Sequence, residues 1–452
     1  MKSIALSLLL LLCGRAGAPA QDSLSTSRPA NHADTAALFA IPDSVWSVDS
    51  VMIVGNEQTK GFVILREMSL KPGDPITRWQ IEYDKNRIYS LRLFNEVRMH
   101  VVPSTPPKAN LVVEVSERWY IFPYPILGLR DRDWSKVFFG AGLVHTNFRG
   151  RAEKLNGSLI FGFDPSIGLS YRNPFLREDG SEFMEARISY SKVRNRSIEA
   201  QVGPDNFDER HYSLGGRYGR RLGIEHTFWV DAGFEVVEVT DYHPVPTIAP
   251  GGIDRYPVAS VGYSYDSRDL GEYPGSGAYA GTTVTKYGWP SDELDIVRYA
   301  FDLRGYQPLS QKFVLTGRVY TNLAAGGRIP SYNHVYFGYG ERIRGHFKEV
   351  MEGESLAGAT TELHYTLLAP LFFRVSWLPP AFGVWKFGMV ATIFADAGQT
   401  WFRGNPVAID LFAKGYGAGI DFLLPYSAVL RMEYAFNEVR RGEFILEGGA
   451  SF

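Results

Sequence analysis

From residue 120 onward, apolar and polar or small residues alternate in blocks of about ten, the strand length that crosses a bilayer, with Gly, Asp, Asn and Pro between the blocks. A period of two is that of a β-strand with unlike faces. "VASVGYSYDSRD" (258–269) puts Val261, Tyr263 and Tyr265 on one face and Ser260, Gly262, Ser264, Asp266 and Arg268 on the other. In "LAGATTELHYTL" (356–367), Ala357, Ala359, Leu363, Tyr365 and Leu367 fall outward, with Thr361 among them. Gly358, Thr360, Glu362, His364 and Thr366 fall inward. "EFILEGGASF" (443–452) sets Phe444, Leu446, Ala450 and Phe452 against Glu443 and Glu447. A soluble sandwich or propeller turns polar faces outward. Here the tyrosine-rich alternation runs the other way, apolar out and polar in, the pattern of a transmembrane barrel.

Candidate strands lie near 122–130, 136–147, 152–163, 166–173, 181–193, 210–221, 223–240, 256–268, 277–287, 294–306, 312–323, 356–368, 384–397, 412–424, 426–436 and 443–452. That is about sixteen, an even number as single-chain bacterial barrels require. The longest interval between them, 324–355, is expected to be a loop without regular structure of its own. It carries "GYGERIRGHF" (338–347). Loops this long in compact proteins are usually functional.

Residues 47–118 follow another pattern. "SVDSVMIVG" predicts a strand closed at Gly55-Asn56, and Thr59 to Met68 a short helix broken by "KPGDP" (71–75). Thr77 starts a second helix, with Gln80 placed for a capping box. Ile81, Ile88 and Leu91 share a face. "NEVRMHVV" and "NLVVEVSE" predict a hairpin joined through "PSTPPKA". The order β-α-α-β-β makes a small α+β domain.

Composition narrows the class. Of 452 residues, 14% are aromatic and 46 are glycine, high for a soluble α/β enzyme. A net charge of −2 gives no reason to expect a nucleic-acid partner. "MKSIALSLLLLLCGRAGAPA" (1–20) reads as a secretory signal peptide, with Lys2, an apolar run and a small-x-small site at Ala18-Pro19-Ala20. Residues 21–46 read as a flexible linker. The one cysteine, Cys13, lies inside the signal and is preceded by Leu12, which does not fit a lipidation site. No later run offers the roughly 18 apolar residues of a spanning helix. No G-x-S-x-G is present, "GESLAG" lacking the final Gly, and no H-E-x-x-H. The expectation is a protein that is not an enzyme and uses neither cofactor nor metal.

In the long loop, Gly338, Gly340 and Gly345 permit tight turns, and Arg344 offers a rigid five-donor fork. A wide barrel has a wet polar lumen into which such a loop can fold if its charges are matched. Asp396 in "FADAG" shares a face with Lys386 and Thr392, Glu433 shares one with Arg431, and Glu362 points inward just after the loop. The alternative is that Arg342 and Arg344 face solvent in an outer loop. Pro123 and Pro125 in "YIFPYPILG" either weaken the first strand or belong to the linker before it.

The chain resembles the BamA/TamA outer-membrane assembly superfamily. "VMIVGNEQTKGFVILREMSLKPGD", "DKNRIYSLRLFNEV" and "LVVEVSER" resemble one POTRA domain at 47–118. "NFRGRAEKL", "YSYDSRDLGEYPGSG", "TTELHYTL", "FADAGQTW" and "RMEYAFN" are similar to the family's strand motifs. "ERIRGHF" stands where the family has its VRG-F/Y loop motif, here Arg342, Ile343, Arg344, Gly345 and His346, with Ile343 for Val and His346 for the aromatic. The resemblance implies a mainly β protein: a transmembrane antiparallel β-barrel of about sixteen strands over 120–452, preceded by that POTRA domain. It implies a sixth outer loop folded into the lumen, with Arg344 paired to Asp396 first and Glu433 second. Phe452 resembles the C-terminal signal by which barrels are recognised. The implied role is insertion of outer-membrane proteins or polypeptide translocation by strand addition. The implied partners are the outer-membrane bilayer, unfolded β-barrel or secreted polypeptides, and periplasmic accessory proteins or chaperones. A two-partner secretion pore and a plain pore are the other readings. The family's best-known members carry several POTRA domains, and this chain has room for one.

Overall fold

The computed structural model describes residues 46–130, 134–177, 179–201, 206–239, 246–289, 294–347, 349–378 and 383–449. The segments read as signal and linker lie outside the described residues, save Trp46, and so does Phe452.

The N-terminal unit is a three-stranded sheet in the order β1-β3-β2, from β1 (Ser47–Val54), β2 (Phe94–Pro103) and β3 (Lys108–Glu117). Two helices, α1 (Gly61–Leu65) and α2 (Arg78–Ser90), cover it. Thr77 caps α2, its hydroxyl accepting the Gln80 N–H at 3.2 Å, which satisfies one of the helix's orphan donors. Ile81 and Ile88 on that helix pack with Val63, Ile64, Leu111 and Val113 in a closed core.

The remaining chain is one sixteen-stranded sheet. In chain order its strands are β4 (Ile121–Leu129), β5 (Val137–Phe148), β6 (Glu153–Gly162), β7 (Ser166–Asn173), β8 (Glu182–Arg194), β9 (Asp208–Leu222), β10 (His226–Val239), β11 (Ile253–Asp266), β12 (Gly277–Tyr287), β13 (Ile296–Pro308) and β14 (Phe313–Gly326). β15 (Val335–Phe337) and β16 (Met351–Gly353) form a separate small hairpin. The large sheet resumes with β17 (Ser355–Arg374), β18 (Val384–Trp401), β19 (Ala413–Leu424), β20 (Ala428–Asn437) and β21 (Gly442–Gly448). Every neighbouring pair is antiparallel, and β14 pairs directly with β17. The 324–355 segment therefore has short regular structure of its own, contrary to the expectation of a plain loop. Three-residue strands are too short to leave a readable period.

The sheet curls on itself. Tyr273, in the turn before β12, donates to Asp421 of β19 at 2.7 Å. Phe122 of β4 packs edge-on against Tyr426 in the turn before β20. The ladder ends at β4 and β21, and no pairing between these two is found among the described residues. Outward residues form a continuous apolar belt: Leu169, Ile188 and Leu214 are register partners in turn, as are Val230, Val261 and Val284. All six are exposed, Val261 to 63%. An apolar patch of that extent is stable against lipid, not water.

The small domain is docked under one end of the barrel. Lys60 N–H reaches Gly150 O at 2.8 Å, and the ring of Phe62 meets Phe175 edge-on. Thr59, Tyr120 and Asn147 share a buried hydroxyl–amide cluster. Glu67 is the ionic centre: Arg87 of α2 and Arg221 of β9 each donate to it at 2.8 Å. Burial works to raise this carboxyl, but Arg221 and Arg87 together hold it below its ordinary value.

Gly271 N–H bonds the Ser90 hydroxyl across the same interface, and a Cβ at Gly271 would lie 3.6 Å from Ser90 Cβ. That is within the span of a disulfide. A Ser90→Cys/Gly271→Cys variant should therefore cross-link the domain to the barrel on mild oxidation. Adding Glu67→Ala, which leaves two guanidinium groups unmatched, should slow the cross-link. Failure of the double variant to form it would contradict the docked arrangement.

Candidate functional site

The hairpin of β15 and β16 carries the 338–347 motif back into the lumen. Gly338 has φ +110° and Gly345 φ +95°, conformations costly for any other residue. Between them Ile343 is buried with Phe337, Tyr320 and Leu356. His346 stands where the family motif has an aromatic ring, and the apolar role falls to the next residue. Phe347 packs with Phe394, Ala435 and Ile445.

The structure places Arg344 against the inner wall, 6% exposed, and brings it to three carboxylates. Its Nε and Nη2 donate to Asp396 Oδ2 and Oδ1, each at 2.7 Å. Its backbone N–H also reaches Asp396, at 3.1 Å. Nη1 donates to Glu433 Oε1 at 2.8 Å and sits 2.7 Å from Glu362 Oε1. The guanidinium lies 3.6 Å from the centre of the Phe394 ring. A planar fork filled on both edges and stacked on one face is a geometry only arginine can occupy.

Neighbouring charges extend the network. Glu447 of β21 is shared by Arg342 and Arg431, the latter at 2.8 Å. Glu443 Oε1 accepts the Gly345 N–H at 2.9 Å and the Phe347 N–H at 2.8 Å. On the other flank Glu341 accepts a two-pronged bond from Arg318 at 3.0 Å. The motif is thus tied to β14, β17, β18, β20 and β21.

Two glycines make room for it, and sequence reading had not singled them out for this. A Cβ at Gly415 of β19 would lie 1.5 Å from the Arg344 carbonyl oxygen. One at Gly398 of β18 would lie 2.6 Å from Phe337 and 2.8 Å from Ile343. Their signal in sequence is a glycine on the inner face of a strand, which marks close approach without naming what approaches.

A region of the chain, residues 147–452, matches the Omp85 superfamily domain, and residues 47–118 match a POTRA unit described as a surface antigen variable number repeat. The chain belongs to the Omp85 superfamily. It is 22% identical over 311 residues to the outer membrane protein assembly factor BamA of Nitratidesulfovibrio vulgaris, covering 66% of this chain and 37% of that protein. It is 22% identical over 400 residues to BamA of Neisseria meningitidis serogroup B, covering 78% and 46% respectively. The chain thus spans less than half the length of these curated relatives. Among solved structures, BamA from Haemophilus ducreyi lacking POTRA domains 1–3 aligns over 89% of this chain and 84% of its own, with TM-score 0.53 and 16% identity. CdiB from Escherichia coli aligns over 89% and 75%, with TM-score 0.56 and 11% identity. At that identity the likeness is one of fold.

His346 gives the loop a titratable tie. Its Nδ1 meets Glu349 and its Nε2 meets Glu438, both at 2.7 Å. Burial disfavours the imidazolium, but the two carboxylates outweigh it and raise the pKa above the ordinary 6.5. A raised folded-state pKa contributes stability that is full below the ordinary value and is lost as pH rises through the raised one.

Both claims are readable with one thiol. Ile343→Cys should be protected from a thiol reagent. Adding Arg344→Ala leaves buried carboxylates uncompensated, a loss of about 3–5 kcal/mol, so labelling should accelerate at least about a hundredfold. Equal rates would show that Arg344 does not hold the loop. Normalised to an exposed Val407→Cys control, labelling of Ile343→Cys should also speed up as pH rises from the ordinary histidine value, and His346→Gln should abolish that dependence. An unchanged profile in His346→Gln would assign the pH effect elsewhere.

Proposed function

We propose that this protein sits in the outer membrane of a Gram-negative bacterium, with its POTRA domain in the periplasm, and inserts or passes polypeptides by strand addition, without cofactor. The observation that carries this reading is the edge of β4. Thr146 N–H bonds Tyr120 O, and Arg130 N–H bonds Lys136 O, each at 2.9 Å, at the two ends of an unbroken β4–β5 register. Even-numbered residues of β4 therefore direct their backbone groups to β5. Odd-numbered ones, including Pro123 and Pro125, direct theirs to the far edge, where proline has no N–H to give. Pro123 and Pro125 lie within β4 rather than in the link before it.

On the other side of the seam the parity is equally fixed. Gly449 N–H bonds Val429 O at 2.7 Å, so Gly442, Phe444, Leu446 and Gly448 face away from β20. A seam between these edges is short of two ladder donors. That favours opening and pairing with an incoming strand. The folding of the substrate supplies the free energy. In the POTRA sheet, β2 lies at the edge and offers a second place for strand addition. A pore dedicated to one secreted partner is the second reading, and the fold shared with BamA and CdiB is compatible with both.

Purified protein in liposomes should accelerate the protease-resistant folding of an added unfolded barrel protein. Pro123→Thr/Pro125→Thr restores two donors, each worth about 0.5–1.5 kcal/mol net, and should slow that reaction. No acceleration by wild type, together with steady ion conductance, would move the assignment to a pore.

A further inference from the structure

Between the POTRA domain and the inner wall lies a cavity of about 700 Å³. Its acids are already engaged. Glu67 is held by Arg87 and Arg221, and Asp266 is gripped by Arg268 through two bonds of 2.9 and 2.8 Å. Four further cations line the space: Arg92, Arg118, Lys154 and Arg172. Among the described residues none of these four forms an ion pair or a side-chain hydrogen bond. Lys154 and Arg172 share only the more distant field of Glu185.

Arg118 is the informative member. It lies in the link between β3 and β4, is 8% exposed, and its Nε has no hydrogen-bond partner. The Tyr426 ring lies near it, its centroid 6.0 Å from the guanidinium carbon. Burial pushes its pKa down to about 10. A guanidinium taken from water without an anion is an uncompensated cost unless a ligand supplies one.

We propose that this chamber is a binding site for acidic segments of polypeptide, whose carboxylates pair with Arg92, Arg118, Lys154 and Arg172. Apolar side chains line the same space, among them Leu93, Phe122, Phe175 and Phe183, and accept the uncharged residues of such a segment. The wall from β4 to β11 is an unbroken hydrogen-bonded ladder, so bilayer headgroups have no path through it. A chain threading in from the domain side does. Phe122 belongs to β4, so a segment held here lies beside the proline-bearing strand. The inference rests on the proposed handling of polypeptide for the identity of its ligand.

The test is equilibrium binding of a fluorescent Glu-Ser repeat peptide to the whole protein in detergent, with a Gln-Ser peptide as control and sodium pyrophosphate as competitor. The Glu peptide should bind in a salt-dependent way and the Gln peptide should not. Lys154→Gln/Arg172→Gln removes two solvent-facing cations that bond nothing, so the fold is retained. It should weaken binding about tenfold, as two screened ion pairs would. Lys108→Gln/Arg255→Gln, with the same charge change outside the chamber, should not. Equal binding by wild type and the chamber variant overturns the proposal. So does binding of pyrophosphate without binding of the Glu peptide, which would assign the site to phosphate. No folding reaction is involved, so loss of assembly activity and loss of this site are read separately.

Discussion

A guanidinium withdrawn into a barrel lumen must be matched by anions fixed on the wall, and the loop that carries it can rest only where those anions converge. Arg344 meets that condition with Asp396, Glu433 and Glu362, which come from three different strands. The pairing is reciprocal: three carboxylates crowded on one inner surface are stable only while a cation sits among them. The loop and the wall therefore specify each other. The supporting ties to Glu443 and Glu447 extend the constraint to β21, the last strand of the ladder. The position of the loop and the state of the seam share an element, and this gives a physical route by which one could influence the other.

Shape matters as much as charge. Gly415 and Gly398 remove side chains where the Arg344 carbonyl and Ile343 lie, so β18 and β19 provide the space, and β18 provides the Asp396 charge as well. At the opposite end the POTRA domain is held by a second buried carboxylate, Glu67, again between cations from separate elements. The barrel thus carries a folded-in loop above and a docked domain below, each pinned by buried charge. Buried ion pairs contribute modest net stability but penalise misplacement heavily. They suit parts that must be held in one position.

Much of the fold could be read from the chain because period-two alternation records which face meets lipid. The inner positions of Glu362, Asp396 and Glu433 follow from parity alone. What parity cannot supply is the tertiary pairing: Glu67 and Arg221 are 154 residues apart, and nothing local links them. The β15–β16 hairpin was missed because three-residue strands carry no period. Gly398 and Gly415 were visible as strand glycines, but their reason is a loop that crosses from elsewhere. His346, in the place of an aromatic, reads as a lost contact in sequence. In space Phe347 supplies the ring and His346 gains two carboxylates.

The most direct measurement is hydrogen exchange over residues 338–347, followed by mass spectrometry on the intact protein in lipid. The backbone N–H groups of Arg344, Gly345 and Phe347 are each bonded to a wall carboxylate. If buried charge pins the loop, wild-type peptides covering 338–347 exchange slowly, comparably to the neighbouring strands, and Arg344→Ala makes them exchange at the rate of an open surface turn such as 403–408. Fast exchange in the wild type, or the same slow exchange in both proteins, would contradict the account.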